Sequence, residues 1–213
     1  MDSVGDSFAY PFRSPNWVST IVLQGLILII PIIGQIALLG WMIANIDNIR
    51  AGRQELAPAG FYLERGIILF VVELIYGIAL FIIPIVLQVV GSLLVNQSAG
   101  GGALLLTLAV LLELVASLLI SFLAPVLILR TSQLGFGGAM DVGAVWAQAT
   151  ANVGQTVVAA LLIWVAGIIA SLGLIFCFVG VLFTSAYAQA VTAGVVSWYE
   201  RTRRLSTGPS TAV

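Results

Sequence analysis

The feature of this sequence that most constrains its fold is its division into three long apolar blocks, 17–49, 66–129 and 156–198. Only 8% of the 213 residues are charged, and 61% are hydrophobic. A soluble domain carries roughly a quarter charged residues, because it needs them to cover its surface. Lipid removes that need, so the composition predicts an all-α polytopic integral membrane protein.

The residue types that are missing from the chain limit the reactions and binding sites that it could support. Histidine and lysine do not occur, which removes the commonest general base, the commonest transition-metal ligand and any Schiff-base nucleophile. The single cysteine, Cys177, lies in an apolar run and is expected to act as a small hydrophobic residue. A net charge of -1 gives no electrostatic case for nucleic-acid binding. We therefore expect no enzymatic activity, no cofactor, no metal and no nucleic-acid partner.

The positions of the arginines predict the topology. A membrane-crossing helix needs roughly 20 apolar residues, so each block is interpreted as a hairpin of two helices. If every block is a hairpin, all arginines fall on one side of the membrane, which is the positive-inside pattern. Both termini are then cytoplasmic. The arginines are Arg13, Arg50, Arg53, Arg65, Arg130, Arg201, Arg203 and Arg204.

The predicted layout is six transmembrane helices in three hairpins within a single domain, 1–204, followed by a flexible C-terminal tail, 205–213. Turns are predicted at Pro31-Ile32-Ile33-Gly34, in the polar stretch 96–102 and at Gly180. One long helix with a proline kink is an alternative for the first block, and both outer hairpins could be re-entrant. The helices are expected at about 17–31, 34–50, 64–95, 103–130, 155–178 and 180–201.

A cytoplasmic interfacial helix is predicted between the fourth and fifth transmembrane helices, around residues 141–151. Phe136, Met140, Ala144 and Ala147 fall near one face of such a helix. Trp146 is expected near the level of the lipid headgroups. The simplest role for this helix is that of a membrane anchor.

Two acidic residues inside apolar runs, Glu73 and Glu113, are the main candidates for a polar site. A charged residue at the centre of a membrane helix costs about 2.5 to 3.5 kcal/mol, so such residues usually face protein or water. Glu73 lies roughly 12 Å and Glu113 roughly 25 Å from the arginine side, too far apart for a carboxylate pair. A stepped polar path is one interpretation. The other is structural, with protonated acids or hydrogen bonds to a neighbouring helix, for example through Gln88.

Small residues recur at four-residue spacing in the last helix, at Ala186, Ala190 and Gly194. Such stripes let membrane helices approach closely. This stripe could pack within the monomer or form a subunit interface, and the sequence leaves both open.

Short motifs follow one another in a recognisable order. An aromatic segment, Phe8-Ala9-Tyr10-Pro11-Phe12, precedes LIIPIIGQIALLGWM at 28–42, the segment 76–84 and GFGGAMDVGAVW at 135–146. This order resembles the multi-pass prokaryotic membrane family called domain of unknown function 4013. The resemblance covers nearly the whole chain and implies a location in the prokaryotic cytoplasmic (inner) membrane. It carries over no catalytic residue.

Two functional hypotheses are consistent with these features. The first is a non-enzymatic accessory or scaffold subunit that packs with itself or with a larger membrane complex, because few residues lie outside the apolar blocks. The second is a small channel or transporter for an ion, a proton or a lipid-like solute, with Glu73, Gln88 and Glu113 along its path. An intramembrane enzyme ranks third. The expected partners are membrane lipids and either a membrane protein or a second copy of the chain.

Overall fold

The computed structural model describes residues 3–95 and 98–206, and every regular element in these ranges is helical. This confirms the all-α prediction. Single turns of 3-10 helix lie at Tyr10–Arg13 and Gly173–Phe176. The helices are α1 (Val4–Ala9), α2 (Trp17–Ile27), α3 (Ile33–Arg50), α4 (Leu63–Leu94), α5 (Ala99–Met140), α6 (Val142–Ala151), α7 (Val153–Leu172) and α8 (Cys177–Ser206).

Four helices in the described part of the chain, α4, α5, α7 and α8, are long and apolar enough to cross a membrane. Helix α2 is also apolar but has only 11 residues. At 1.5 Å per residue it is roughly 16 Å long, about half the thickness of a hydrocarbon core. The first predicted helix, 17–31, is therefore shorter in the structure than the sequence indicated.

In the turn between α2 and α3, the predicted proline and glycine are not the residues that reverse the chain. The reversal is centred on Ile32, whose φ of 65° and ψ of -57° are rare for a β-branched residue. The amide of Ile33 donates to the carbonyl of Pro31 at 2.6 Å, which closes a three-residue turn. Gly34 contributes small size, because a Cβ there would lie 2.7 Å from the Cα of Leu28.

Helices α4 and α5 form a long antiparallel pair, in contact near the middle of α4, at Tyr76, and near its end, at Gly91. The Tyr76 hydroxyl donates to the carbonyl of Ala139 at 2.8 Å, and Gly91 lies against Leu106. Helix α5 continues past the predicted end at 130, with a kink at Gly135, whose φ is 67°. A left-handed φ is accessible to glycine without strain. Asn96 and Gln97, part of the predicted turn, lie outside the described residues.

Helices α7 and α8 form a second antiparallel pair, joined by the 3-10 turn Gly173–Phe176 rather than at Gly180. The turn is earlier because Gly173 allows a close approach: a Cβ there would lie 2.6 Å from the carbonyl carbon of Gly180. The Thr184 hydroxyl donates across the pair to Ala170 at 2.7 Å. Helix α8 runs to Ser206, so the rest of the predicted tail, 207–213, lies outside the described residues, as does the environment of the Cys177 side chain.

Helix α3 lies at the centre of the molecule and ties the N-terminal segment to the 51–62 connector. Trp41 is fully buried, and its indole donates to the carbonyl of Ala57 at 2.9 Å. Asn45 accepts from the Tyr10 hydroxyl at 3.0 Å and from the Ala57 amide at 2.9 Å. Burial raises the pKa of Tyr10, with a smaller opposing effect of Arg53, so its hydroxyl stays a donor at neutral pH.

Candidate functional site

The structure brings two of the three predicted polar residues together and leaves the third apart. Gln88 on α4 donates to Glu113 on α5 through its Nε2, at a long distance of 3.4 Å from Oε2. Glu73 lies fifteen residues before Gln88 on the same helix, which is roughly 22 Å along the axis. The acids therefore do not form one centre, in keeping with the separation predicted from the sequence.

Glu73 lies at the surface of the protein, in the apolar part of α4. Its side chain is exposed, and so are those of the next two residues, Leu74 and Ile75. One turn later, a Cβ added to Gly77 would meet nothing within 4 Å. The carboxyl group of Glu73 thus lies beside an open notch, at Gly77, on an apolar helix surface.

The small-residue stripe of α8 is used inside the chain. Ala186 and Ala190 are fully buried and pack in a cluster with Tyr10 and Trp41. Gly194 is in contact with α1, where a Cβ would lie 2.9 Å from the Cα of Ser7. Of the two possibilities left open by the sequence, packing within the monomer is the one observed for these residues.

A charged network at one end of the bundle was not predicted as a site. Its centre is Glu200 on α8, which is only 6% exposed. Its carboxylate accepts from Arg50 Nε on α3 at 2.8 Å, from Gln133 Nε2 on α5 at 3.0 Å and from Arg204 at 2.5 Å. Three helices that are far apart in sequence are therefore joined at one carboxylate.

The network extends from Arg50 toward α4 and α5. A second nitrogen of Arg50 donates to the Ser132 hydroxyl at 2.8 Å. A third reaches Asp47 at 3.4 Å, and Asp47 also pairs with Arg65 at the start of α4. The ends of α3, α4 and α8 thus meet the part of α5 just before its kink at one charged cluster, which we call the arginine end.

Cavities open around the arginine end. One of them, about 400 Å³, is lined by residues of α3 and α8. A second, about 270 Å³, shares Glu200 and Arg204 with it, and a third, about 170 Å³, lies beside Arg65 and Ser132. The lining of the first consists of Ile49, Arg50, Ser197, Glu200, Arg201 and Arg204.

One signal in the sequence could have identified this end. Glu200 is followed at once by Arg201, Arg203 and Arg204, so an acid stands in a basic cluster where α8 ends. Arg50 likewise lies directly after the first apolar block, 17–49. Their pairing spans 150 positions of sequence, and no local pattern indicates which ends meet.

A model of the family described as Protein of unknown function (DUF4013) matches residues 23–179. The matched range contains the segments 28–42, 76–84 and 135–146 on which the resemblance rested, while the aromatic segment 8–12 lies before it. The chain matches no curated protein and no solved structure. Because the match covers well over half of its length, the chain belongs to the family described as Protein of unknown function (DUF4013).

Proposed function

We propose that this protein is a non-enzymatic accessory or scaffold subunit of a membrane, which acts by packing its helices against another transmembrane helix. The observation that carries the proposal is the exposed Glu73 beside the open notch at Gly77. A carboxyl group that faces hydrocarbon is costly, and a partner helix that donates a hydrogen bond removes the cost. A glycine notch allows that helix to approach closely.

The proposed layout is six membrane helices in three hairpins in the prokaryotic cytoplasmic (inner) membrane, with both termini in the cytoplasm. Helices α4, α5, α7 and α8 span the bilayer, and the arginine end lies at the cytoplasmic side, as the positive-inside rule requires. Helix α6 lies at the same interface: it buries Val145 and Ala149 but exposes Val142 and Trp146.

The first hairpin of this layout, α2 with α3, is re-entrant. Its tip exposes four isoleucines, Ile29, Ile30, Ile32 and Ile33, which suits hydrocarbon better than water. Within the tip, amides of residues 28–30, 33 and 34 already donate to nearby carbonyls. Backbone groups in hydrocarbon must be satisfied in this way. A re-entrant hairpin leaves both of its ends on the same side, so the topology is unchanged.

Association through Glu73 is tested with the purified full chain in mild detergent by native mass spectrometry, after crosslinking in the membrane. We expect an assembly with a second copy or another membrane protein. Glu73→Leu is expected to weaken the association constant roughly fivefold or more, because an interhelical hydrogen bond in a membrane contributes on the order of 1–2 kcal/mol.

Glu64→Leu is the matched control, since Glu64 is also exposed on α4 but lies in its first turn. It should assemble like the wild type. A strict monomer without any crosslinked partner, or a Glu73→Leu variant that assembles normally, would contradict the proposal.

A channel or transporter is the second candidate, favoured by the contact between the polar side chains of Gln88 on α4 and Glu113 on α5, which is exposed at the surface of the helix pair. Proton and ion flux into liposomes that contain the purified protein distinguishes the two. As a scaffold, the protein should give no more flux than empty liposomes. Flux that is present in the wild type and lost in Glu113→Gln would reverse the ranking.

A further inference from the structure

We infer that a groove between α5 and α7 holds the acyl chain of a membrane phospholipid. The groove has a volume of about 270 Å³. The inference rests on the proposed layout, in which both helices span the bilayer, and it is independent of association through Glu73, which lies on α4. The lining of the groove includes Leu118, Ser121 and Phe122 of α5 and Ala160, Leu161 and Trp164 of α7.

The chemistry of the lining suits hydrocarbon. Among the described residues that line the groove, Ser121 carries the only hydroxyl group, and this hydroxyl already donates to the carbonyl of Ser117 at 2.7 Å. The same lining contains no carboxylate and no guanidinium group. A polar ligand would find few partners for its hydrogen bonds there, and its desolvation would be costly. An acyl chain has no polar groups to satisfy.

The shape of the groove suits a single chain. Ala160 is only 9% exposed and forms the floor, whereas Leu118 on α5 and Trp164 on α7 are 64% and 63% exposed and form the walls. A volume of about 270 Å³ holds roughly nine groups the size of a water molecule, which is enough for part of one acyl chain. Because lipid tails are themselves apolar, the chain is held by van der Waals contacts with the floor and walls.

The depth of the groove matches the cytoplasmic half of the bilayer in the proposed layout. Val157 and Trp164 lie roughly 6 and 16 Å along the axis from the start of α7. On α5, Phe122 and Leu118 lie roughly 12 and 18 Å from Arg130. A hydrocarbon core is about 30 Å thick, so both walls lie mainly in the half nearer the arginine end.

Helix α6 obstructs the end of the groove that lies nearer the arginine end, which favours a lipid over a partner helix. On one wall, the ring of Trp146 contacts Phe122 edge-on, with the centroids 6.4 Å apart. On the other wall, the Thr156 hydroxyl donates to the carbonyl of Ala149 at 2.9 Å. A transmembrane helix is about 10 Å across and needs a gap through the whole bilayer. A lipid chain ends at the headgroup level, where α6 lies in the proposed layout.

The test counts bound lipid by native mass spectrometry of the delipidated full chain in mild detergent, titrated with dioleoyl phosphatidylcholine. One lipid per chain should bind more tightly than the others. Ala160→Leu is expected to weaken this binding about fivefold, because the added carbon atoms occupy the floor and displace the chain from its contacts. Trp164→Ala removes an exposed wall, so it should weaken the binding without disturbing the core. Dihexanoyl phosphatidylcholine should not compete, because its chains are too short to fill the groove.

Ala79→Leu is the matched control, because Ala79 is exposed on α4 and lies outside the groove. It should bind the lipid like the wild type. An equal loss in Ala79→Leu and Ala160→Leu, or effective competition by the dihexanoyl lipid, would overturn the inference. So would a change in the assembled fraction of Ala160→Leu at unchanged lipid binding, because a helix would then occupy the groove. Topology is measured separately by cysteine labelling, which distinguishes the absence of this lipid site from a wrong layout.

Discussion

Replacing Gly66 by alanine is expected to destabilise the protein by about 3 kcal/mol, the upper part of the range for overpacking in a protein core. Helix α3 crosses α4 at this residue. A Cβ on Gly66 would lie 2.8 Å from the carbonyl carbon of Ile36 and 2.9 Å from the amide nitrogen of Gly40. Both neighbours are backbone atoms of a buried helix, so neither can move aside like a flexible side chain.

The matched control for this prediction is Gly167→Ala, in the interior of α7 but in open space. It should be neutral or stabilising by roughly 0.5 to 1 kcal/mol, because alanine is the better helix former. Reversible unfolding in mixed micelles, titrated with dodecyl sulfate, measures both variants. Equal stability of Gly66→Ala and Gly167→Ala would mean that α3 and α4 do not cross as described.

Replacing Glu200 by alanine is expected to cost about 3 kcal/mol, because it removes the closer of the two carboxylates that pair with the Arg50 guanidinium in a partly buried site. The side chain of Arg50 is 24% exposed and that of Glu200 only 7%. Glu200→Gln should recover part of the loss, since an amide can still accept the hydrogen bond from Gln133. The same unfolding measurement applies.

An exposed ion pair serves as the control for Glu200. Arg13 pairs with Asp6 at 2.5 Å, and each side chain is about 30% exposed. Arg13→Gln should therefore change the stability by no more than about 1 kcal/mol. If Glu200→Ala were as mild as Arg13→Gln, the arginine end would be a surface feature rather than the connection that holds four helices together.

The long helices were predictable from the sequence because their signal is local. The apolar runs that give α4 and α7 are long and nearly free of charge, so hydropathy alone identifies them. The conformation of the chain reversal after α2 was harder to predict from the sequence. Pro31 and Gly34 are compatible with a kink, a turn or a re-entrant tip, and the contact that decides is the packing of Gly34 against Leu28.

The candidate sites were likewise predictable where the signal is local in sequence, and not where it depends on residues that are distant in sequence. Glu73 and Glu113 could be selected because an acid inside an apolar run is conspicuous. The stripe at Ala186 was equally conspicuous, but its partner is the N-terminal segment around Tyr10, which lies more than 170 residues away in sequence. Sequence spacing reveals a smooth helix face without indicating what covers it.

The central claim, a helical membrane protein whose arginine end faces the cytoplasm, is tested most directly by cysteine labelling in intact cells. Single cysteines are introduced after Cys177→Ser, and a membrane-impermeant maleimide is added from outside. Gly100→Cys should be labelled at once, Ala51→Cys only after permeabilisation, and Ile29→Cys in neither case, because we propose that the tip after α2 lies in hydrocarbon. Labelling of Ala51→Cys in intact cells, or protection of Gly100→Cys until permeabilisation, would contradict the claim.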